Sequence, residues 1–224
     1  MEDITEIVAI DGPAGAGKST VARRVASALG FAFLDTGAMY RAATWRALAH
    51  GIDLDDPEAT AESTRAMVLE MSEQNGCQRV LVDGNDVTEA IRSPEVTQMI
   101  YKLDQNPQVR DHLMELQRAF GTQRPTVAEG RDMGTVVFPR AKCKIYLDAS
   151  IEKRTRRRAA ELHAKGLAVD VNALREEIRI RDEMARTRTV APLRRAEDAI
   201  LVDTTDMTLE QVVDRIVDLA GAVR

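Results

Sequence analysis

The stretch Glu6-Ile7-Val8-Ala9-Ile10-Asp11, followed at once by Gly12-Pro13-Ala14-Gly15-Ala16-Gly17-Lys18-Ser19-Thr20, limits this chain to few folds. The first six residues are mostly apolar and rich in β-branched side chains, which predicts a short buried strand. Val21 to Leu29 predicts an amphipathic helix that stops at Gly30. A strand, a glycine loop ending in Lys-Ser and a helix are the context that a phosphate-binding loop requires. Gly12, Gly15 and Gly17 let the backbone curl so that its N–H groups point at phosphate oxygens, and the helix N-terminus adds its positive dipole end. Lys18 can reach the β- and γ-phosphates of a nucleoside triphosphate, and the Ser19 hydroxyl can ligate Mg2+. Gly12, Pro13, Ala14, Gly15, Ala16, Gly17, Lys18, Ser19 and Thr20 are therefore the candidate ATP-binding residues, with Ser19 as metal ligand. A dinucleotide site fits less well, because Gly15-x-Gly17-x-x-Thr20 lacks the third glycine.

Four further short apolar segments follow: Phe31–Asp35, Val127–Glu129, Lys144–Asp148 and Ala199–Asp203. Each leads into a polar turn and a helix. The pattern predicts an α/β fold, a five-stranded parallel sheet with helices on both faces. Thr36-Gly37-Ala38-Met39-Tyr40-Arg41 opens a helix running to about His50. Thr36, Tyr40 and Arg41 would form an anion pocket at its start. The alternative for Tyr40 and Arg41 is a surface helix face. Farther on, the spacing predicts a helix over Pro57–Ser72, then a hairpin of Cys77–Asp83 and Asp86–Thr88 about a Gly84-Asn85 turn. Two more helices are predicted near Pro94–Lys102 and Pro107–Phe120, and two basic helices meet at Lys165-Gly166-Leu167. There is no internal repeat and no low-complexity linker.

Length and charge narrow the function. A chain of 224 residues with 44% hydrophobic and 30% charged residues can bury a sizeable core, and suits one core with insertions. The net charge is −5, yet Lys153 to Arg195 holds 13 Lys and Arg against 6 Asp and Glu, +7, which leaves −12 elsewhere. A globally acidic protein is a poor general nucleic-acid binder. A concentrated basic segment suits a small, highly charged anion, or is simply a pair of solvated helices. No apolar run approaches the ~18 residues of a membrane span. The start Met1-Glu2-Asp3-Ile4 is acidic, unlike a signal peptide. Cys77 and Cys143 lie far apart, which favours free thiols in a reducing cytoplasm. His50, His112 and His163 offer no zinc-ligand spacing.

Gly12–Thr20, Asp35–Arg41, the run Glu129-Gly130-Arg131-Asp132-Met133-Gly134-Thr135-Val136-Val137-Phe138-Pro139, and Val190-Ala191-Pro192-Leu193 together resemble bacterial cytidylate kinases. The resemblance spans essentially the whole chain in the family's motif order. The run from Gly130 to Pro139 is specific to the family, whereas the phosphate loop alone is shared with many NTPases. The resemblance implies a kinase that uses ATP and Mg2+ to convert CMP, and dCMP, to the diphosphate; a monomer is the default expectation, in the cytoplasm that the cysteines suggest. It implies a core of about 1–36, 124–149 and 189–224, a monophosphate-binding insertion of about 37–123, and a lid of about 150–188. Arg41 and Arg131 would hold the acceptor phosphate, while Thr36, Arg110, Asp132 and Arg188 would surround the base. The family often has Ser at the position of Thr36, and Thr keeps the hydroxyl.

These residue types suit cytosine. Asp132 can accept from the N4 amino group, and Arg110 or Arg188 can donate to N3 and O2. Uracil would set a carbonyl oxygen against the carboxylate. Other roles for Asp132 are an ion pair with Arg131 or a place near the metal. Phosphoryl transfer needs in-line positioning and cations that follow the moving charge, for which Lys18, Arg154, Arg157, Arg158 and Arg181 are the candidates. Arg154, Arg157 and Arg158 fall at i, i+3 and i+4 on one helix face, and Arg156 points elsewhere. Two departures touch the sugar side: Tyr101 where the family commonly has Ser, and Ala185 where it commonly has Asp. A kinase of the same fold acting on UMP or AMP, a small-metabolite kinase, and a non-catalytic nucleotide sensor are the alternatives. The small-metabolite kinase would not need the long first insertion, and the sensor would not need the arginine-rich segment.

Overall fold

Every residue of Ile7–Asp11 is buried, and this central strand, β1, organises the larger of two compact units. The computed structural model describes residues 6–74, 77–164 and 166–222. Met1-Glu2-Asp3-Ile4, Lys165 and the side chain of Cys77 lie outside the described residues. The first unit comprises Met1–Leu34 with Arg118–Arg224, and the second Asp35–Gln117.

In chain order the elements are β1, α1 (Lys18–Leu29), β2 (Ala32–Asp35), α2 (Thr36–Ala49), α3 (Pro57–Arg65), β3 (Leu69–Gln74), β4 (Cys77–Val82), β5 (Asn85–Asp86), α4 (Pro94–Asp104), α5 (Pro107–Gln123), β6 (Thr126–Gly130), β7 (Cys143–Asp148), α6 (Ile151–Ala164), α7 (Val171–Thr187), β8 (Ile200–Asp203) and α8 (Leu209–Gly221). No helix among the described residues is long and apolar enough to cross a membrane.

The first unit holds a five-stranded sheet in the order β2-β6-β1-β7-β8. β1 runs parallel to β6, with Ile10 opposite Glu129, and parallel to β7, with Asp11 opposite Tyr146. β8 continues the parallel set beside β7. Successive strand residues point to opposite faces. Val8, Ile10, Val127, Ile145 and Leu147 pack on one face against Val21, Ala22 and Val25 of α1 and Val212, Val213 and Ile216 of α8. Tyr146 points the other way and packs with Ala185 of α7 and Leu193. The parallel α/β sheet expected from the sequence is thus present, with helices on both faces. Cys143 is a free thiol in this core, where burial pushes its pKa up to about 11.

The second unit corrects two expectations. The helix expected over Pro57–Ser72 ends at Arg65, and Leu69–Gln74 is instead a strand, antiparallel to β4 from Leu69↔Val82 to Gln74↔Cys77. Met67 and Met71, four apart, suit a helical face, whereas Leu69 and Met71, two apart, suit a strand, and pairing with β4 decides between them. The hairpin turns at Asp83-Gly84, one residue earlier than expected, with φ of 51° and 78°. Asp-Gly with both φ positive is a primed turn whose twist matches the strands. Asp83 also accepts from the Val68 N–H and from Arg46, which pins the turn.

Candidate active site

The parallel order sets the loop after β1 at the carboxyl edge of the sheet, between the ends of β6 and β7. Gly12 has a φ of 155°, and a Cβ there would stand 2.0 Å from the Leu147 carbonyl oxygen, so β7 leaves room for glycine alone. Gly17, at φ 88°, caps α1. The Lys18 ammonium donates to the Pro13 carbonyl at 2.9 Å, folded back over its own loop. Burial lowers its pKa to about 8, while Glu129 and Asp11 favour the charged form and Arg131 opposes it. Ser19 donates its hydroxyl to the Glu129 carboxylate. Asp11 is raised to about 6 by burial, even though it accepts the N–H groups of Met133 and Gly134, each at 2.8 Å. These two bonds anchor the π-helical turn Met133–Val137 and therefore set the chain just after Arg131 and Asp132.

Of the four arginines expected from the basic helices, two reach the phosphate loop. Arg154 is buried, donating to the Ala14 carbonyl at 2.9 Å and the Ala149 carbonyl at 3.0 Å, and pairing with Asp182 at 2.5 Å. Asp182 in turn accepts the Ala14 N–H at 2.9 Å. Arg157 donates to the Ala16 carbonyl at 3.3 Å and grips Thr204 through its hydroxyl and carbonyl at 3.0 and 2.9 Å. Arg158 and Arg181 are partly exposed beside acids of their own helices, Glu161 at 2.9 Å and Glu177 at 3.7 Å. Arg156 is exposed, as its helix face requires.

The expected base-binding and acceptor residues divide between the units. In the first unit Asp132 and Arg188 are both buried and 3.6 Å apart, and Arg188 also donates to the Ala191 carbonyl at 2.7 Å. In the second unit Asp35 caps α2 through the Ala38 N–H at 2.8 Å. Asp35 also pairs with Arg41 at 3.1 Å and with Arg92 at 3.6 Å. Gly37 permits the close packing, since a Cβ there would lie 3.1 Å from the Arg41 guanidinium. Thr36 and Tyr40 are buried on α2, and Arg110 of α5 lies 5.5 Å over the Tyr40 ring. Tyr101 lines a surface cleft with Leu54, Pro57 and Asn106, and Ala185 is buried beside Tyr146 and Leu193.

Sequence reasoning missed three acidic residues. Glu129 carried a usable signal, an acid closing a core strand that leads into a glycine. Asp11 likewise ends β1. Asp182 had none, because its partner Ala14 lies 168 positions away.

The model of the cytidylate kinase family matches residues 8–222. This chain belongs to that family. It is 47% identical over 214 residues to a cytidylate kinase of Carboxydothermus hydrogenoformans, covering 96% of each chain. The identity is 46% over 214 residues to a cytidylate kinase of Geobacillus kaustophilus, again covering 96% of each. A bifunctional pantoate ligase/cytidylate kinase of Synechococcus elongatus is 49% identical over 218 residues, which are 95% of this chain and 41% of that one.

Proposed function

We propose that this protein transfers the γ-phosphoryl group of ATP to CMP, and to dCMP, releasing ADP and the pyrimidine diphosphate. The family match over residues 8–222 carries the reading. The phosphate loop supports it, with Lys18 and Ser19 standing beside Glu129. The alternative kinases of the same fold differ in the acceptor they take.

The residues divide by task. The amides of the Gly12–Thr20 loop and the start of α1 hold the phosphates of ATP. Lys18 follows the negative charge that spreads over the moving phosphoryl group, with Arg154, Arg157, Arg158 and Arg181 as further cations. Thr36, Tyr40, Arg41, Arg110, Arg131, Asp132 and Arg188 are the residues that would bind CMP. Asp132 accepts from the cytosine amino group, and an arginine donates to the opposite edge. The segment of residues 150–188 acts as a lid that keeps out water, which would otherwise compete as acceptor.

The Ser19 hydroxyl and Glu129 carboxylate are hard oxygen donors in direct contact, which suits Mg2+. An ion bound largely by phosphates and water needs few protein ligands, and Ser19 with Glu129 would be the protein's share. When bound, Mg2+ supplies charge neutralisation at the β- and γ-phosphates. The protein acts as a monomer on free nucleotides in the cytoplasm. Coupled ADP release against CMP, dCMP, UMP and AMP tests the proposal. Preference for CMP and dCMP supports it, and preference for UMP or AMP replaces it with the alternative acceptor.

A further inference from the structure

Ala14 is held from both sides by residues remote in sequence. Its N–H donates to Asp182 at 2.9 Å, and its carbonyl accepts from Arg154 at 2.9 Å. The other Asp182 oxygen takes the same Arg154 guanidinium at 2.5 Å. Arg154 is tied in addition to the Ala149 carbonyl, just beyond β7, at 3.0 Å. The two side chains are 6% and 4% exposed. Arg154 lies in the first turn of α6 and Asp182 in the last third of α7, so two helices meet the phosphate loop at one residue. Desolvation makes such a buried ion pair a poor source of stability, and its value lies in the geometry it fixes.

Arg154 is a cation of the proposed reaction, and Asp182 is the acid that holds it against Ala14. We propose that Asp182 is a positioning residue for phosphoryl transfer. Its carboxylate locks Ala14 and Arg154 to each other, so the phosphate loop keeps its ATP-binding shape only while α7 is docked on it. The proposal rests on the ATP-binding part of the kinase reading and not on the identity of the acceptor. Asp182 takes the Ala14 N–H out of use, which leaves the amides farther along the loop for phosphate oxygens. Paired with Arg154, it adds no net negative charge beside the phosphates. Both of its oxygens face donors. An amide in its place has one acceptor oxygen and turns an NH2 group towards the other donor.

The test uses the full chain with Asp182→Asn and Asp182→Glu, each assayed well below its melting temperature. MgATP binding is measured by calorimetry, and KM for ATP and for CMP by steady-state kinetics. The expected result for both variants is a rise of about tenfold or more in Kd and KM for ATP, with KM for CMP within about twofold of wild type. Adding Arg154→Lys to Asp182→Asn should worsen ATP binding by less than the product of the single effects, because the two residues act as one unit. A purely structural pair would lower the melting temperature and leave the folded variants binding MgATP within about twofold of wild type. That result overturns the proposal, as does an equal loss for ATP and CMP. If Asp182→Asn does not fold, Asp182→Glu retains the charge, displaces one of the two donors, and decides alone. Wild type that binds MgATP but phosphorylates no CMP would refute the acceptor reading, while the binding measurements would still decide the role of Asp182.

Discussion

Ser19, the last-but-one residue of the phosphate loop, donates its hydroxyl to Glu129 near the end of the neighbouring strand β6. The contact joins the residue expected to ligate Mg2+ to a carboxylate one residue before the end of the adjacent strand. Glu129→Gln keeps the size of the side chain and removes its charge. We expect turnover at saturating nucleotide to fall by about a hundredfold, and the Mg2+ needed for half-maximal rate to rise several-fold. Titration of activity with Mg2+ checks this, and an unchanged Mg2+ requirement counts against the pairing having a metal role.

Lys18→Met should abolish nearly all turnover, a loss of about 2–4 kcal/mol or more of transition-state stabilisation. It should also raise the melting temperature of the nucleotide-free protein at pH 7. The folded pKa of about 8 lies below the ordinary 10.5, so the folded state binds fewer protons than the unfolded chain between these values. Stability therefore rises with pH from about 8 to about 10.5, and the buried ammonium is a burden below 8. Calorimetry of the variant at pH 7 and 10 checks the sign. No gain at pH 7 would mean that Glu129 and Asp11 offset the burial completely.

The same shift governs activity in alkali. Because kcat/KM for ATP reports the free enzyme, it should decline above about pH 8 as Lys18 loses its proton. Lys18→Arg, if active at all, should remove that decline, since a guanidinium keeps its charge. A profile flat to pH 10 contradicts the assignment.

Asp132→Asn should narrow the preference for CMP over UMP, because the amide can donate to the uracil O4 that the carboxylate repels. The change should appear mainly as a fall in kcat/KM for CMP. Asp132 is buried 3.6 Å from Arg188, so a melting curve must accompany the kinetics to separate a lost base contact from a lost ion pair. A constant CMP-to-UMP ratio assigns Asp132 to structure alone.

The departures at Tyr101 and Ala185 predict weak discrimination between ribose and deoxyribose. Ala185 is 5% exposed beside Tyr146 and Leu193 and offers no acceptor side chain for a sugar hydroxyl. CMP and dCMP should be used within about tenfold of each other in kcat/KM, since one charged hydrogen bond is worth ~1.5–3 kcal/mol. Ala185→Asp should move the ratio towards CMP and lower the melting temperature, because its carboxylate enters an apolar cluster. A hundredfold preference for CMP in the wild type, lost in Tyr101→Phe, would mean that the phenol supplies the missing bond.

The central architecture was legible because its signals are local. Gly12, Gly15 and Gly17 are required by backbone geometry, and the strands from Ile7 to Asp203 are short apolar runs closed by polar turns. The β3 strand was not legible, since Met67 and Met71 suit a helical face while Leu69 and Met71 suit a strand, and only β4 beside them decides. The arginines divided for the same reason. Position on one face of α6 says nothing about which side chain finds Ala14 or Thr204, and Arg158 turns instead to Glu161. Asp11 and Asp182 act through partners more than a hundred positions away, which no window along the chain can reveal.

The most direct test of the account is initial-rate ADP release by the purified wild-type protein, with MgATP and each of CMP, dCMP, UMP and AMP in turn. The expected result is the highest kcat/KM for CMP, dCMP within about tenfold of it, and UMP and AMP lower by about a hundredfold or more. Turnover of UMP or AMP equal to that of CMP, or MgATP binding without phosphorylation of any monophosphate, would contradict it.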